Sequence, residues 1–132
     1  MQHLQVAVGV IVNADKQILI TRRQAHQHQG NLWEFPGGKR EADESRFSAL
    51  QRELHEEIGL QVLIAKELLQ IDHDYADRKV TLDVWLVEKF SGEVHGREGQ
   101  QIKWCPLAEI EQYDFPAANG AIVTAIKNYF QI

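Results

Sequence analysis

Between residues 45 and 58 the chain carries Phe47, Leu50, Leu54 and Ile58 at three- and four-residue steps. That spacing places them along one side of an α-helix. Gly59 follows where a helix is commonly stopped by a left-handed residue. The segments around this helix have a different period. Residues 4–12 are rich in Val, Ile and Ala, residues 13–16 (Asn-Ala-Asp-Lys) supply turn chemistry, and residues 17–21 are apolar again, which predicts a hairpin. Residues 22–31 are polar. A short strand over 32–35 is expected to run into a tight loop at Pro36-Gly37-Gly38. Residues 61–74 and 79–90 alternate as strands, 92–100 form a glycine-containing loop, and 102–105 form another strand. Pro116 opens a final helix that carries Ile122, Ala125, Ile126 and Phe130.

Strands mixed with two helices predict an α/β fold in which a single mixed β-sheet lies between helices on both faces. A length of 132 residues leaves room for one core, so one domain over 1–132 is expected. No repeat, low-complexity tract or linker breaks it. The net charge of -5 lacks the basic excess that long nucleic acids require, and no apolar run is long enough for a membrane span. A single nucleotide stays compatible with that charge, because a bound divalent cation reverses the local field at one site. The only cysteine, Cys105, excludes an internal disulfide and a Cys-based zinc site. The opening Met-Gln-His-Leu lacks the features of a signal peptide, so a cytoplasmic location is expected. Nothing requires a dimer, and a monomer is expected.

The candidate chemistry lies on the first helix. Glu53, Glu56 and Glu57 stand at i, i+3 and i+4, within a wedge of roughly 100° beside the apolar stripe. They occupy the last turn, where the helix dipole disfavours each carboxylate by ~0.3–1 kcal/mol. Neighbouring carboxylates about 6 Å apart also repel, by roughly 0.7 kcal/mol in water and roughly 3 kcal/mol at an effective dielectric of 20. A solvated acidic face gains nothing from this arrangement. A divalent cation turns the repulsion into attraction, and oxygen-only donors suit Mg²⁺ or Mn²⁺. Arg52 can hold one carboxylate bidentate and fix its rotamer. Gly37 and Gly38 precede the helix and permit backbone conformations and close approaches closed to other residues.

Gly38, Glu44, Arg52, Glu53, Leu54, Glu56, Glu57, Gly59 and Leu60 match every defined position of the Nudix box. The sequence therefore resembles the Nudix hydrolase family. Residues 4–9, 21–23, 34–39, 98–100 and 114–116 extend the resemblance to the MutT type within it. The resemblance implies the Nudix α/β/α sandwich, Mg²⁺ as cofactor with Mn²⁺ able to substitute, and hydrolysis of an oxidised guanine nucleoside triphosphate such as 8-oxo-dGTP to the monophosphate and pyrophosphate. It implies that Glu53, Glu56, Glu57, Glu98 and a carbonyl of Gly37 or Gly38 bind metal. Arg52 would orient the glutamates, and Glu44 is counted among the catalytic residues. Either Glu53 or Glu98 would serve as base.

For the nucleotide, Arg23 and Lys39 are candidate phosphate contacts. Asn119 can read a purine edge through paired donor and acceptor. His28, Glu34, Phe35 and Arg78 match further positions of the nucleotide site. The chain departs from the pattern at Asp43, where a glycine is usual, at Tyr75-Ala76 in place of Phe-Pro, and at Trp33 in place of a smaller residue. Asp tolerates the left-handed geometry that a glycine would supply at position 43. Two rivals are a Nudix hydrolase of another nucleoside diphosphate derivative, a sugar or dinucleotide, and a silent nucleotide-binding module. The second is disfavoured because no carboxylate of the box is missing.

Overall fold

The computed structural model describes residues 2–26 and 30–132. Strands β1 (Gln2–Ile11), β2 (Gln17–Arg22), β3 (Trp33–Glu34) and β4 (Gly37–Lys39) precede helix α1 (Arg46–Ile58). Strands β5 (Gln61–Asp74), β6 (Arg78–Ser91) and β7 (Gln101–Pro106), two short 3₁₀ segments (Leu107–Gln112 and Ala117–Asn119) and helix α2 (Gly120–Phe130) follow.

The strands form two sheets where one was expected. The larger has the order β4-β1-β6-β5 and is mixed, with β1 parallel to β6 from Gln2↔Arg78 to Ile11↔Val87. The smaller, β3-β2-β7, is antiparallel. The expected hairpin of residues 4–21 is reduced to one bridge, Val12↔Ile18, at the fork between the sheets. One edge of β1 is taken by β6 along its whole length, and the other by β4 and the Pro36 carbonyl over residues 6–9, which leaves β2 no edge there. The expected tight loop at residues 36–38 is also corrected. Gly37–Lys39 is a strand, paired Val8↔Gly37 and Ala7↔Gly38.

Strand alternation sends β1 side chains to two opposite cores, which is why the run is apolar without interruption. Val8 and Val10 join Ile18, Ile20, Val84, Leu86 and Cys105 beneath Ile122 and Ile126 of α2. Ala7 and Ile11 join Leu19, Trp85 and Val87 beneath Ala49, Leu50, Leu54 and Ile58 of α1. Helices therefore cover both faces, as expected, and the predicted stripe of α1 is the face that is buried. Phe47 packs at its margin, with ring centroids 5.7 Å from Trp85.

Helix α1 has defined ends. The Ser45 hydroxyl accepts from the Ser48 N–H at 3.1 Å, capping the first turn. At the other end Gly59 adopts φ 73°, its N–H donates to the His55 carbonyl at 3.0 Å, and the Leu60 N–H donates to the Leu54 carbonyl at 3.4 Å. The Gly59 bond is the αL form of helix stop, and together the two bonds fix where β5 departs. The final helix starts later than expected. Pro116 is extended (ψ 150°), one 3₁₀ turn follows, and α2 begins at Gly120.

Candidate active site

The polar edge of α1 is organised around Arg52. Its Nε and Nη2 donate to the two Glu44 carboxylate oxygens at 2.6 and 2.8 Å. Nη1 donates to Glu53 at 2.8 Å and Glu56 at 3.1 Å, and Nη2 also reaches the Lys39 carbonyl at 3.1 Å. One guanidinium thus connects the loop before α1, strand β4 and two glutamates of the acidic wedge. The guanidinium, together with the Glu41 N–H, holds the Glu44 carboxyl down at about 2, so Glu44 stays an acceptor for Arg52 at any ordinary pH.

The three glutamates of the wedge differ in environment. Glu56 is exposed, Glu53 is mostly covered, and Glu57 is buried. The Glu57 carboxylate accepts from the Gly37 N–H at 2.9 Å. Burial pushes its pKa up to about 8; the Gly37 bond opposes this, and Glu34, Glu98 and Glu53 add to it. Burial also raises Glu53, against the pull of Arg52, with Glu56 and Glu98 adding. Glu98, on the exposed loop before β7, therefore lies within electrostatic reach of both. Glu34 belongs to the same field: burial raises it, Arg23 opposes, and Glu98 adds. Arg23 donates to Glu34 at 2.9 Å.

The glycines act through space, and not through unusual dihedrals. Neither Gly37 nor Gly38 has a positive φ. A Cβ at Gly38 would collide with the Glu53 carboxylate, and one at Gly37 would collide with the Ala7 carbonyl oxygen and approach Val8 Cα at 2.9 Å. Asp43 likewise is not left-handed, so its expected special geometry does not occur.

Among the described residues, no three His, Cys, Asp or Glu side chains are drawn together tightly enough to hold an ion as they stand. Arg52 restrains Glu53 and Glu56, and Gly37 restrains Glu57. The chemistry of the donors nevertheless fits a hard divalent cation. They are carboxylate oxygens, and the neighbouring carboxylates raise the proton affinity of Glu34, Glu53 and Glu57, a repulsion that such a cation relieves. The Thr21 hydroxyl adds a buried oxygen without a partner among the described residues, on the β2 face that Leu19 turns toward α1.

Residues 7–125 match the NUDIX domain. The chain belongs to the Nudix hydrolase family. This Nudix chain is 42% identical to the 8-oxo-dGTP diphosphatase of Escherichia coli, over 96% of its own length and 98% of that protein. It is 36% identical to the CTP pyrophosphohydrolase of the same organism, over 89% and 87% of the two lengths. A solved structure from a study of MutT of Aliivibrio salmonicida and Vibrio cholerae superposes with a TM-score of 0.89 at 42% identity, covering 98% of this chain and 100% of that one. Fold and enzyme class agree with the reading from sequence.

The remaining candidate residues of the Nudix chain are spread over several elements. Lys39 is exposed beside Gly38. Arg78 is exposed at the start of β6, with its guanidinium 5.5 Å from the Tyr75 ring centroid. Phe35 is buried and stacked on Phe115, with centroids 4.9 Å apart and planes 9° apart, so one of its faces is already covered. Trp33 packs edge-on against Tyr113 beneath Arg22, which accounts for its larger ring. Asn119 sits at the N-cap of α2, yet its side chain does not cap the helix and forms no hydrogen bond among the described residues. Asn is a favoured capping residue, so an uncapping Asn leaves both amide groups for another partner. His28 lies outside the described residues.

The sequence reading gave no role to four polar residues. Arg46 and Asp83 pair across α1 and β6. Gln100 contacts the end of α1, and Thr21 looked like an ordinary strand residue. Their only signal was a polar residue within an apolar strand pattern, for Thr21 and Asp83, or two residues from Glu98, for Gln100.

Proposed function

We propose that this enzyme hydrolyses 8-oxo-dGTP and related oxidised purine nucleoside triphosphates to the monophosphate and pyrophosphate with Mg²⁺, so removing mutagenic precursors from the nucleotide pool. The observation that carries this reading is the buried Glu57 carboxylate beside Glu53, in the electrostatic field of Glu98 and ordered by the Arg52–Glu44 pair. The named 8-oxo-dGTP diphosphatase that matches nearly end to end supports the substrate.

Glu53, Glu56, Glu57, Glu98 and a carbonyl of Gly37 or Gly38 would hold the cation. When bound, it supplies positive charge for the phosphate oxygens and makes a water easier to deprotonate. Arg52 keeps Glu53 and Glu56 in place while Glu44 fixes Arg52. Glu53 or Glu98 takes the proton of the attacking water as its oxygen bonds to phosphorus and the bridging phosphoanhydride bond breaks. Arg23 and Lys39 would meet the phosphates. Asn119 would read the oxidised base, with Phe35, Arg78 and His28 around it and Glu34 holding Arg23. One domain over 1–132 and a monomer suffice for this chemistry.

Steady-state hydrolysis of 8-oxo-dGTP, dGTP and CTP with Mg²⁺, with pyrophosphate separated from orthophosphate, tests the reading. The expected result is a kcat/KM for 8-oxo-dGTP at least ~100-fold above the other two, with pyrophosphate released. Asn119→Ala should lower that preference by about 10-fold or more, the loss of a bidentate base contact worth ~1–3 kcal/mol. Equal rates on the three nucleotides would sink the substrate assignment. A higher rate on CTP would move it to the chemistry of the second relative.

A further inference from the structure

A helix leaves its last carbonyls without partners, and three of those of α1 are met by the loop over residues 92–100. The Ile58 carbonyl accepts from the His95 N–H at 3.0 Å, and the His55 carbonyl from the Arg97 guanidinium at 3.0 Å. The Glu57 carbonyl accepts twice, from the Arg97 N–H at 3.0 Å and from Gln100 Nε2 at 3.1 Å. The same Gln100 amide turns its Oε1 to the Glu98 N–H at 2.9 Å. On the far side of that residue, Gln24 Nε2 donates to the Glu98 carbonyl at 3.3 Å. The backbone of Glu98 is therefore held at both its N–H and its C=O, while its carboxylate forms no hydrogen bond or ion pair among the described residues.

We infer that Gln100 is a positioning residue: its side-chain amide ties the backbone of Glu98 to the last turn of α1 and sets where the Glu98 carboxylate stands relative to Glu53 and Glu57. The inference rests on the reading of those three glutamates as the carboxylates of the hydrolytic site. The amide suits the tie because one end donates to a carbonyl while the other accepts from an N–H. Gln100→Glu is nearly isosteric and keeps the acceptor for Glu98, but it sets an anion against the Glu57 carbonyl at the negative end of the helix dipole. Gln100→Leu keeps the bulk and loses both bonds.

Amide hydrogen exchange by NMR on the metal-free protein reads the tie directly, without reference to turnover. In Gln100→Leu, which loses the acceptor, the Glu98 amide is expected to exchange at least ~10-fold faster, while the Leu50 and Leu54 amides in the middle of α1 keep their protection. With 8-oxo-dGTP and Mg²⁺, kcat is expected to fall by ~10- to 100-fold with KM within about twofold, the pattern of a displaced reacting group. In a Glu98→Gln background, adding Gln100→Leu should change kcat by less than about twofold, because the residue acts through Glu98.

Unchanged exchange at Glu98 would overturn the inference. So would loss of protection along all of α1, which is general destabilisation, and so would full multiplication of the two kcat losses. Failure of the wild-type protein to hydrolyse 8-oxo-dGTP would instead count against the proposed substrate, and the exchange at Glu98 would still decide the role of Gln100.

Discussion

Gly38 shows how much one missing methyl decides. A Cβ there meets only the carboxylate end of Glu53, which can swing aside, so Gly38→Ala is expected to leave the fold standing and to displace a reacting group. Turnover should fall by ~100-fold, the scale of a misplacement of about 1 Å, with a Tm change of a few degrees at most. A kcat within about threefold of wild type would separate Gly38 from the placement of Glu53. Glu57 gives a pH signature. Its folded pKa, about 8, lies above its unfolded value, so its stabilising contribution is complete below the unfolded pKa and is lost as pH rises through about 8. In EDTA, the Tm of the wild-type protein should fall between pH 5 and pH 8.5, and Glu57→Gln should flatten that fall. A slope unaffected by Glu57→Gln would refute the burial argument.

At the scale of elements, α1 must be fixed to the sheet before its glutamates can be placed. Its first turn is anchored by Arg46, which grips both Asp83 oxygens on β6 at 2.9 and 2.6 Å, lies over the Trp85 ring and pairs with Glu67 on β5. Burial alone would raise the Asp83 carboxyl, but the Arg46 and Trp85 bonds outweigh it and hold the carboxyl below the usual range. Arg46→Met would strand that charge, and removing one partner of a covered pair costs about 3–5 kcal/mol. The retained Trp85 bond places this case near the lower end. Urea unfolding should show a loss of about 2–4 kcal/mol, with part of it recovered in Arg46→Met/Asp83→Leu. A loss below about 0.5 kcal/mol would reduce the pair to an ordinary surface bridge.

For the whole molecule, both apolar clusters draw side chains from both sheets: Val10 with Ile18 on the α2 side, Ile11 with Leu19 on the α1 side. Neither sheet can separate without opening both clusters. Equilibrium unfolding is therefore expected to be one transition, with coincident midpoints from far-ultraviolet circular dichroism and from fluorescence of Trp85 in the larger sheet and Trp33 and Trp104 in the smaller. Two midpoints would mean that the sheets fold as separate units. Among the described residues no helix is long and apolar enough to cross a membrane.

Local sequence was sufficient wherever the deciding contacts are close along the chain. The α1 stripe, the Gly59 stop, the span of β5 and the acidic wedge follow from periods of 3.6 and 2 and from the freedom of glycine at positive φ. The box pattern likewise carried the family. The division into two sheets, the strand at Gly37–Lys39, the Arg46–Asp83 pair and the tie of Gln100 to α1 depend on partners 29 or more residues apart. A residue's own neighbours do not record which strand edge is already occupied or which carbonyl ends a distant helix. That choice is made when the two cores close, because every buried N–H and C=O must then find a partner and each strand has only two edges to offer.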